Sequence, residues 1–495
     1  MKHLLYFALA VLVFSCRGTD NPVANKAPET LLQVDSIVRS GDLRLGTNVT
    51  LHWYGMDVDG FINGYHITVD ETSSFTSSTD STFSFSIEAG QDTTDILLTV
   101  AAEDNEGLID PSPATLIVPI KNAAPEVAID PDGLLSDSAF IVATVDWRAT
   151  DDDGDETIES VEFKLNAGNW LEIGTSISLL SFATDPQGNV AYYKNAGFID
   201  SIPGADLQGE NFIFLRARDR AGVYSEVDTT AGFYWKAANS ATLIINGQPE
   251  YIGSTYKEWM DSANVDYDYL QMDAVSGAGI PAYWDPTFEI IMSSYSKIAL
   301  FTDATVFPTK SGDDYLLNIL ALSTQKFLQK GGKLFTASQF SSNMAGGAFL
   351  DIFPVESLVF SSGQARLTND STLAPLQPGF PSLQPQNIVL GITPIIPSAD
   401  ATALYNGQIT KIAGWNGATT MGATRTQNGS INQVFVALPL HVFNRPTNHG
   451  GILLDHVFNA VYKSPTYPSL NFVPIRRCCA TKRRTAWTRI GKRYK

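Results

Sequence analysis

The stretch KFLQKGGKLFTASQFS, residues 326–341, decides what the largest part of this chain can be. It reads as the end of a helix, a glycine break, a buried strand and the turn after that strand. Upstream, Leu317, Leu320, Ala321, Thr324, Phe327 and Leu328 recur at helical spacing and make one apolar face. Asp313 or Asp314 is placed to cap that helix. Lys326 and Lys330 fall in its last turn, where cations complement the helix dipole, and Gly331-Gly332 ends it. Residues 333–337 follow as a continuous apolar strand of the buried parallel type.

Working outward, the same alternation continues on both sides. Residues 242–246 (TLIIN), 266–272, 297–301 (KIALF) and 434–438 (VFVAL) read as strands. Residues 254–262, with Ser254 as N-cap, residues 287–294 and residues 451–462 read as helices, the last with Leu453, Val457, Ala460 and Val461 inward. Strand–helix alternation predicts a doubly wound, mostly parallel α/β sheet over residues 241–468. Residues 341–430 are rich in Gly, Pro, Ser and Thr and read as loops over the carboxyl edge of the sheet, with Tyr405 and Trp415 as core or ligand-contacting aromatics.

The opening LIING, the helix-then-GGKLFTAS unit and the late FVALPLHVF strand before a final helix resemble the class I glutamine amidotransferase-like fold, itself flavodoxin-like. The resemblance implies a nucleophile on a sharp G-x-C-x-G turn and a later H-x-E. Here the turn reads Thr336-Ala337-Ser338-Gln339-Phe340, with no cysteine and no glycine, and His441 is followed two residues on by Phe443. A Ser338–His441 pair is the catalytic reading left by this pattern. The alternative has Ser338 capping the next turn and His441 packing or facing solvent. His449 and His456 are the other nearby imidazoles; His456, on the closing helix, reads as structural, and no His or Cys spacing suggests zinc.

The first part of the chain has a different period. Residues 28–121 show short apolar runs at 31–38, 49–54, 62–69, 83–87, 96–101 and 116–120, separated by Gly, Asp and Ser, which predicts a β-sandwich. Residues 122–240 repeat it. Trp53 to Gly60 and Trp147 to Gly154 are both W-x3-D-x-D-G; Ala102 to Gly107 and Ala217 to Gly222 are both A-x-D-x-x-G. The interval between the two motifs is 49 residues in the first copy and 70 in the second, so the second carries an insertion, placed within 177–203. Each Trp ends an apolar strand and is placed to fill the space between two sheets. These residues, with Ile62, Gly64 and Tyr65, resemble fibronectin type III and Ig-like modules of bacterial (Bacteroidetes-like) surface lipoproteins; in the second copy Glu159-Ser160-Val161 departs from that pattern. Asp151, Asp153 and Asp155 form either a structural Asp turn or a calcium site, calcium being the one cofactor the sequence suggests.

Lys2 precedes an 11-residue apolar run, residues 4–14, and then Ser15-Cys16. The run is too short to span a bilayer and has the length of a secretory h-region. Val13-Phe14-Ser15-Cys16 resembles a lipobox, which implies that residues 1–16 are a lipoprotein signal cut before Cys16, so that Cys16 becomes the mature N-terminus and carries the lipid; the other reading is an ordinary signal peptide that contains a cysteine. Residues 17–27 read as a tether. The only other cysteines are Cys478 and Cys479, so the cores, not disulfides, must hold the fold. The final 20 residues carry nine of the 33 Lys and Arg and no acid, while the rest holds all 52 Asp and Glu. That acidic body argues against a nucleic-acid partner, and residues 469–495 read as a basic, disordered tail or an altered reading frame.

The sequence therefore leads to an exported protein, lipid-anchored to the outer membrane and facing the periplasm or the cell surface. It has two β-sandwiches followed by an α/β domain, and a non-catalytic binding or structural role. The partners expected are the membrane, through the lipid, and a glycan or envelope protein. The alternatives are a serine hydrolase using Ser338 and His441, and an architectural spacer.

Overall fold

The computed structural model describes residues 24–34, 44–130, 138–360, 365–411, 417–444 and 448–463. The signal segment, Cys16, Trp415 and the basic tail lie outside these. Contacts divide the chain at 237/238, with residues 281–283 joining the first unit.

The first unit holds two β-sandwiches. In the first, a three-stranded sheet orders Glu29–Val34, Asn48–Met56 and Asp80–Ser84. It faces a four-stranded sheet ordered Thr72–Thr76, Ile62–Val69, Thr93–Asp104 and Ala114–Lys121. Alternation along each strand sends Leu51, Trp53, Tyr65, Ile67, Leu98, Val100 and Ile120 into one core. The strand Thr72–Thr76 escapes the sequence reading because it is mostly Ser and Thr. Its hairpin is set by Asp70 at φ 50°, a left-handed position.

The second sandwich buries Trp147, Phe163, Phe182, Leu215 and Trp235. Its extra residues are not a loop. Leu179–Thr184, Asn189–Lys194 and Gly197–Pro203 pair antiparallel and extend one sheet to five strands. On the outer face of the opposite, four-stranded sheet cations alternate with rings: Lys164 lies between Phe214 and Trp170, and Arg216 between Trp170 and Tyr224, at 4.0 to 4.9 Å.

The second unit is built on one eight-stranded sheet. Its strands are β1 (Thr242–Asn246), β2 (Asp268–Gln271), β3 (Lys297–Thr302), β4 (Lys333–Ser338), β5 (Leu373–Pro375), β6 (Ala401–Gly407), β7 (Thr420–Gln427) and β8 (Ser430–Val436), in the spatial order β2-β1-β3-β4-β8-β7-β6-β5. The first five in that order are parallel; β7, β6 and β5 add three antiparallel pairings. The expectation of a mostly parallel sheet thus holds for one half, and residues 341–430 supply strands as well as loops.

Helices α1 (Glu250–Ser262) and α5 (His449–Asp455) pack together, as do α2 (Trp284–Ser293) and α4 (Ala321–Gln329), the latter preceded by the short α3 (Leu316–Ile319). Alternate strand residues divide between two layers. Ile244, Ala299, Phe301, Phe335 and Ala337 join the core that holds α1 and α5. Three helical expectations need correction. Helix α1 begins at Glu250 after Pro249, so Ser254 lies inside it. The helix before Gly331 is interrupted at Leu320, although its six face residues are all buried as the spacing predicts. After α5 the chain takes π-helical geometry over His456–Val461, with Tyr462 N donating to Val457 O at 2.7 Å. This register shift turns Phe458 and Tyr462 inward and leaves Ala460 exposed.

Candidate functional site at the carboxyl edge of the parallel strands

The chain runs from β1 outward to β2 and then returns to β3 on the other side of β1. A crevice outside the strand ends at such a reversal is where open α/β sheets hold ligands. Here that place is occupied by side chains of the protein itself. Asn246, the last residue of β1, is fully buried; its Nδ2 lies 2.7 Å from Gln271 Oε1, 2.9 Å from Gln248 O and 3.1 Å from Tyr269 Oη. Gln271 Nε2 donates to Gln248 O at 2.8 Å. Tyr269 Oη donates to Glu250 Oε2 at 2.6 Å, and Glu250 also accepts from Lys257. Gly253 lets α1 approach this knot, because a Cβ there would stand 2.0 Å from Tyr269 Oη.

His441 reaches the same edge from the short turn Leu440–Val442 after β8. Tyr256 Oη donates to Gln248 Oε1 at 2.9 Å and lies 3.5 Å from His441 Nδ1. Burial pushes the Tyr256 hydroxyl far above the usual phenol range. Burial also lowers the His441 pKa, with the Asp303 carboxylate opposing it, so the ring is neutral near pH 7.

Ser338 is the last residue of β4 and fully buried, and its Oγ donates to Gln339 O at 3.4 Å. No hydrogen bond joins Ser338 to His441 among the described residues. The chain after β4 enters 3-10 turns, Ser342–Met344 and Ala348–Asp351, not a helix. Phe340 stacks on Phe349 with centroids 5.9 Å apart, so the turn is packed around an aromatic ring. Tyr405 is a core residue whose Oη donates to Pro381 O. His456 packs edge-on against Phe380 at 4.8 Å.

The Asp turn of the second sandwich has another occupation. Asp153 accepts from Thr47 Oγ1 at 2.6 Å and from Ala123 N at 2.7 Å. Asp219 accepts from Asn122 Nδ2 at 2.6 Å and Asp155 from Asp151 N at 3.1 Å. The two repeated Asp motifs together hold the segment Asn122-Ala123 and a loop of the first sandwich. Among the described residues no group of three or more His, Cys, Asp or Glu is arranged to hold a metal ion. The same clasp recurs in the first sandwich: Asn25 Nδ2 donates to Asp104 Oδ2 at 2.6 Å and Lys26 N to Asp59 Oδ2 at 3.3 Å. Asn-Lys-Ala-Pro at 25–28 and Asn-Ala-Ala-Pro at 122–125 are the sequence signal for it, and it went unread.

Asp151 is 8% exposed; its Oδ1 accepts from Asp153 N, and its Oδ2 has no hydrogen-bond partner. Burial first, then the charges of Asp153 and Asp219, raise its pKa. A carboxyl raised in the fold penalises folding above its folded pKa and ceases to do so below its unfolded value. Asp151→Asn is therefore expected to raise the melting midpoint of the first unit at pH 7 and to flatten its pH dependence above pH 4. Melts from pH 4 to 8 check this, and a lower midpoint at pH 7 would refute it.

No family model matches the chain, and no curated protein matches it. Solved structures align weakly. The two-domain fibronectin type III segment of chicken tenascin is 14% identical over 41% of this chain and 97% of that one, with a TM-score of 0.22. The fibronectin(III)-like modules of Clostridium thermocellum CbhA are 16% identical over 42% and 95%, with a TM-score of 0.16. The Bacteroides ovatus mixed-linkage glucan utilization protein SGBP-B, in complex with a mixed-linkage heptasaccharide, is 10% identical over 45% and 52%, with a TM-score of 0.15. At these scores the alignments carry no assignment, and the architecture rests on the sheets themselves.

Proposed function

We propose that this chain is an exported, non-catalytic lipoprotein of the bacterial outer membrane, anchored through Cys16. Its two sandwiches, of fibronectin type III or Ig-like kind, carry an α/β domain of the amidotransferase-like, flavodoxin-like kind. That domain binds an envelope partner, a glycan or a protein, or serves as structure. The strand order β2-β1-β3-β4 followed by β8 supports the flavodoxin-like reading.

The observation that carries the non-catalytic reading is the state of Ser338. A nucleophile must present its oxygen to substrate beside a base; this one is wholly buried and hydrogen-bonds the neighbouring carbonyl. The polar knot elsewhere along this edge, Asn246, Gln271 and Tyr269, links the ends of β1 and β2 to Glu250 of α1.

Ser338→Ala is expected to change the unfolding free energy by no more than about 1 kcal/mol, as for a single weak hydrogen bond. Fluorophosphonate probes are expected to label neither protein. Labelling and ester turnover that vanish in the variant would establish the serine hydrolase instead.

A further inference from the structure

The two sandwiches present the same pole to different surroundings. In the second, the turn Thr150-Asp151-Asp152-Asp153-Gly154-Asp155 is engaged by the first: Thr47 bonds Asp153, and Asn48 Nδ2 donates to Asp152 O at 3.1 Å. That engaged pole is polar. The equivalent turn of the first sandwich reads Met56-Asp57-Val58-Asp59-Gly60-Phe61. Its apolar side chains are open: Met56 is 53% exposed, Val58 78% and Phe61 67%. Leu108, on the neighbouring turn, is 41% exposed. Asn105 ties the two turns together, its Oδ1 accepting from Phe61 N at 2.8 Å and its N donating to Phe61 O at 3.0 Å. Large apolar groups gathered at a loop tip, with Val58 and Phe61 standing where the repeat has Asp152 and Asp155, mark a surface that meets something apolar.

The chain's own path says what. Asn25 and Lys26 are clasped at this same pole, on Asp104 and Asp59. Cys16 is nine residues before Asn25. At full extension that length spans about 30 Å, so a lipid on Cys16 keeps this pole within that reach of the bilayer.

We propose that the pole formed by Met56, Val58, Phe61 and Leu108 inserts into the interfacial layer of a membrane and orients the sandwich on it. The proposal rests on the lipid anchor. The acids beside the tip, Asp57, Asp59 and Glu106, favour a neutral surface over an anionic one. Apolar tips of this size add a second, weak signal to a single-point anchor, which is what stable orientation needs.

The test uses the full chain, with Cys478 and Cys479 changed to serine, purified from bacteria fed radiolabelled palmitate and reconstituted into phosphatidylethanolamine/phosphatidylcholine vesicles. A fluorophore is placed at Phe61→Cys or, as control, at Gln91→Cys. Gln91 is exposed beside Gly90, whose N–H donates to Arg220 O of the second sandwich, at the other end of the module. A nitroxide-bearing lipid is expected to quench the probe at 61 at least about twofold more than the probe at 91, as an interfacial tip requires; added phosphatidylglycerol should reduce the difference. If palmitate is incorporated and the probe at 61 stays open to aqueous iodide, the anchor stands and the insertion is overturned. If the probe is shielded from iodide yet untouched by the nitroxide lipid, the pole pairs with a second copy, which also overturns it. If no palmitate is incorporated, the anchor reading fails, and the insertion with it.

Discussion

Replacing Tyr256 with alanine is expected to destabilise the α/β unit by about 3–5 kcal/mol, the range for a large aromatic residue removed from a packed core. Tyr256 is 1% exposed and stacks on Phe301 with centroids 3.7 Å apart and planes 9° from parallel. Through Phe301 it joins the aromatic layer that includes Phe335. Tyr256→Phe separates the hydroxyl from the ring. It keeps the stack but leaves Gln248 Oε1 without its donor at a buried place, at a cost of about 1–3 kcal/mol. The pH dependence has another origin. His441, held neutral by burial, resists protonation in the fold, so stability is lost as pH falls through the unfolded histidine value near 6.5. Burial of His441 is the cause of this loss, so it is expected between pH 7 and 5 in the parent and in Tyr256→Phe alike. Urea unfolding at both pH values, with hydrogen exchange following the α1 amides, measures both effects. A phenylalanine variant indistinguishable from the parent at pH 7 would show that the hydroxyl contributes nothing to this edge.

What the sequence made legible follows from how local each signal is. The strand β4 and the helix before it could be read from residues 317–337 because both are defined by contiguous periodicity and a glycine break, and Gly331 does adopt φ 89°. The two tryptophan motifs could be read because a repeat tests itself. The antiparallel half of the sheet was legible only in part. Its strand β5 is LAP, too short to read alone, and exists through pairing with β6. Strand β7 is TMGATRTQ, without clear alternation, but its hairpin with β8 turns on Asn428-Gly429, both at positive φ, a local signal that carried the strand. The switch-point knot was hidden for a related reason. Asn246, Gln248 and Gln271 are neutral amides, a residue type that a search for nucleophiles, bases and metal ligands passes over. They matter because parallel pairing brings the ends of β1 and β2 together, with Asn246 opposite Gln271. The π-helical turn after α5 has no marker at all in the spacing of Leu453, Val457 and Val461.

Trp53→Ala is the matching experiment for the first unit, again with an expected loss of about 3–5 kcal/mol. Trp53 is 2% exposed, meets Tyr65 edge-on and Phe83 at a tilt, both at 6.3 Å, and donates from Nε1 to Ser78 O at 2.9 Å. Domains of this size hold about 5–15 kcal/mol in total, so this one change removes a large share of the margin. Trp53→Phe should cost less, keeping most of the ring and losing the indole bond. The effect should also travel. Thr47 and Asn48 border the strand that carries Trp53, and they hold Asp153 and the Asp152 carbonyl of the second sandwich. Loosening the first core therefore weakens the grip on the second, and amide exchange at 151–157 should accelerate in Trp53→Ala. The α/β unit has a separate core, so Trp53→Ala and Tyr256→Ala together should add to within about 0.5 kcal/mol. Unchanged exchange at 151–157 would mean that the clasp is set by the Asn122-Ala123 segment alone, and that the loop of the first sandwich rests on the Asp turn without securing it.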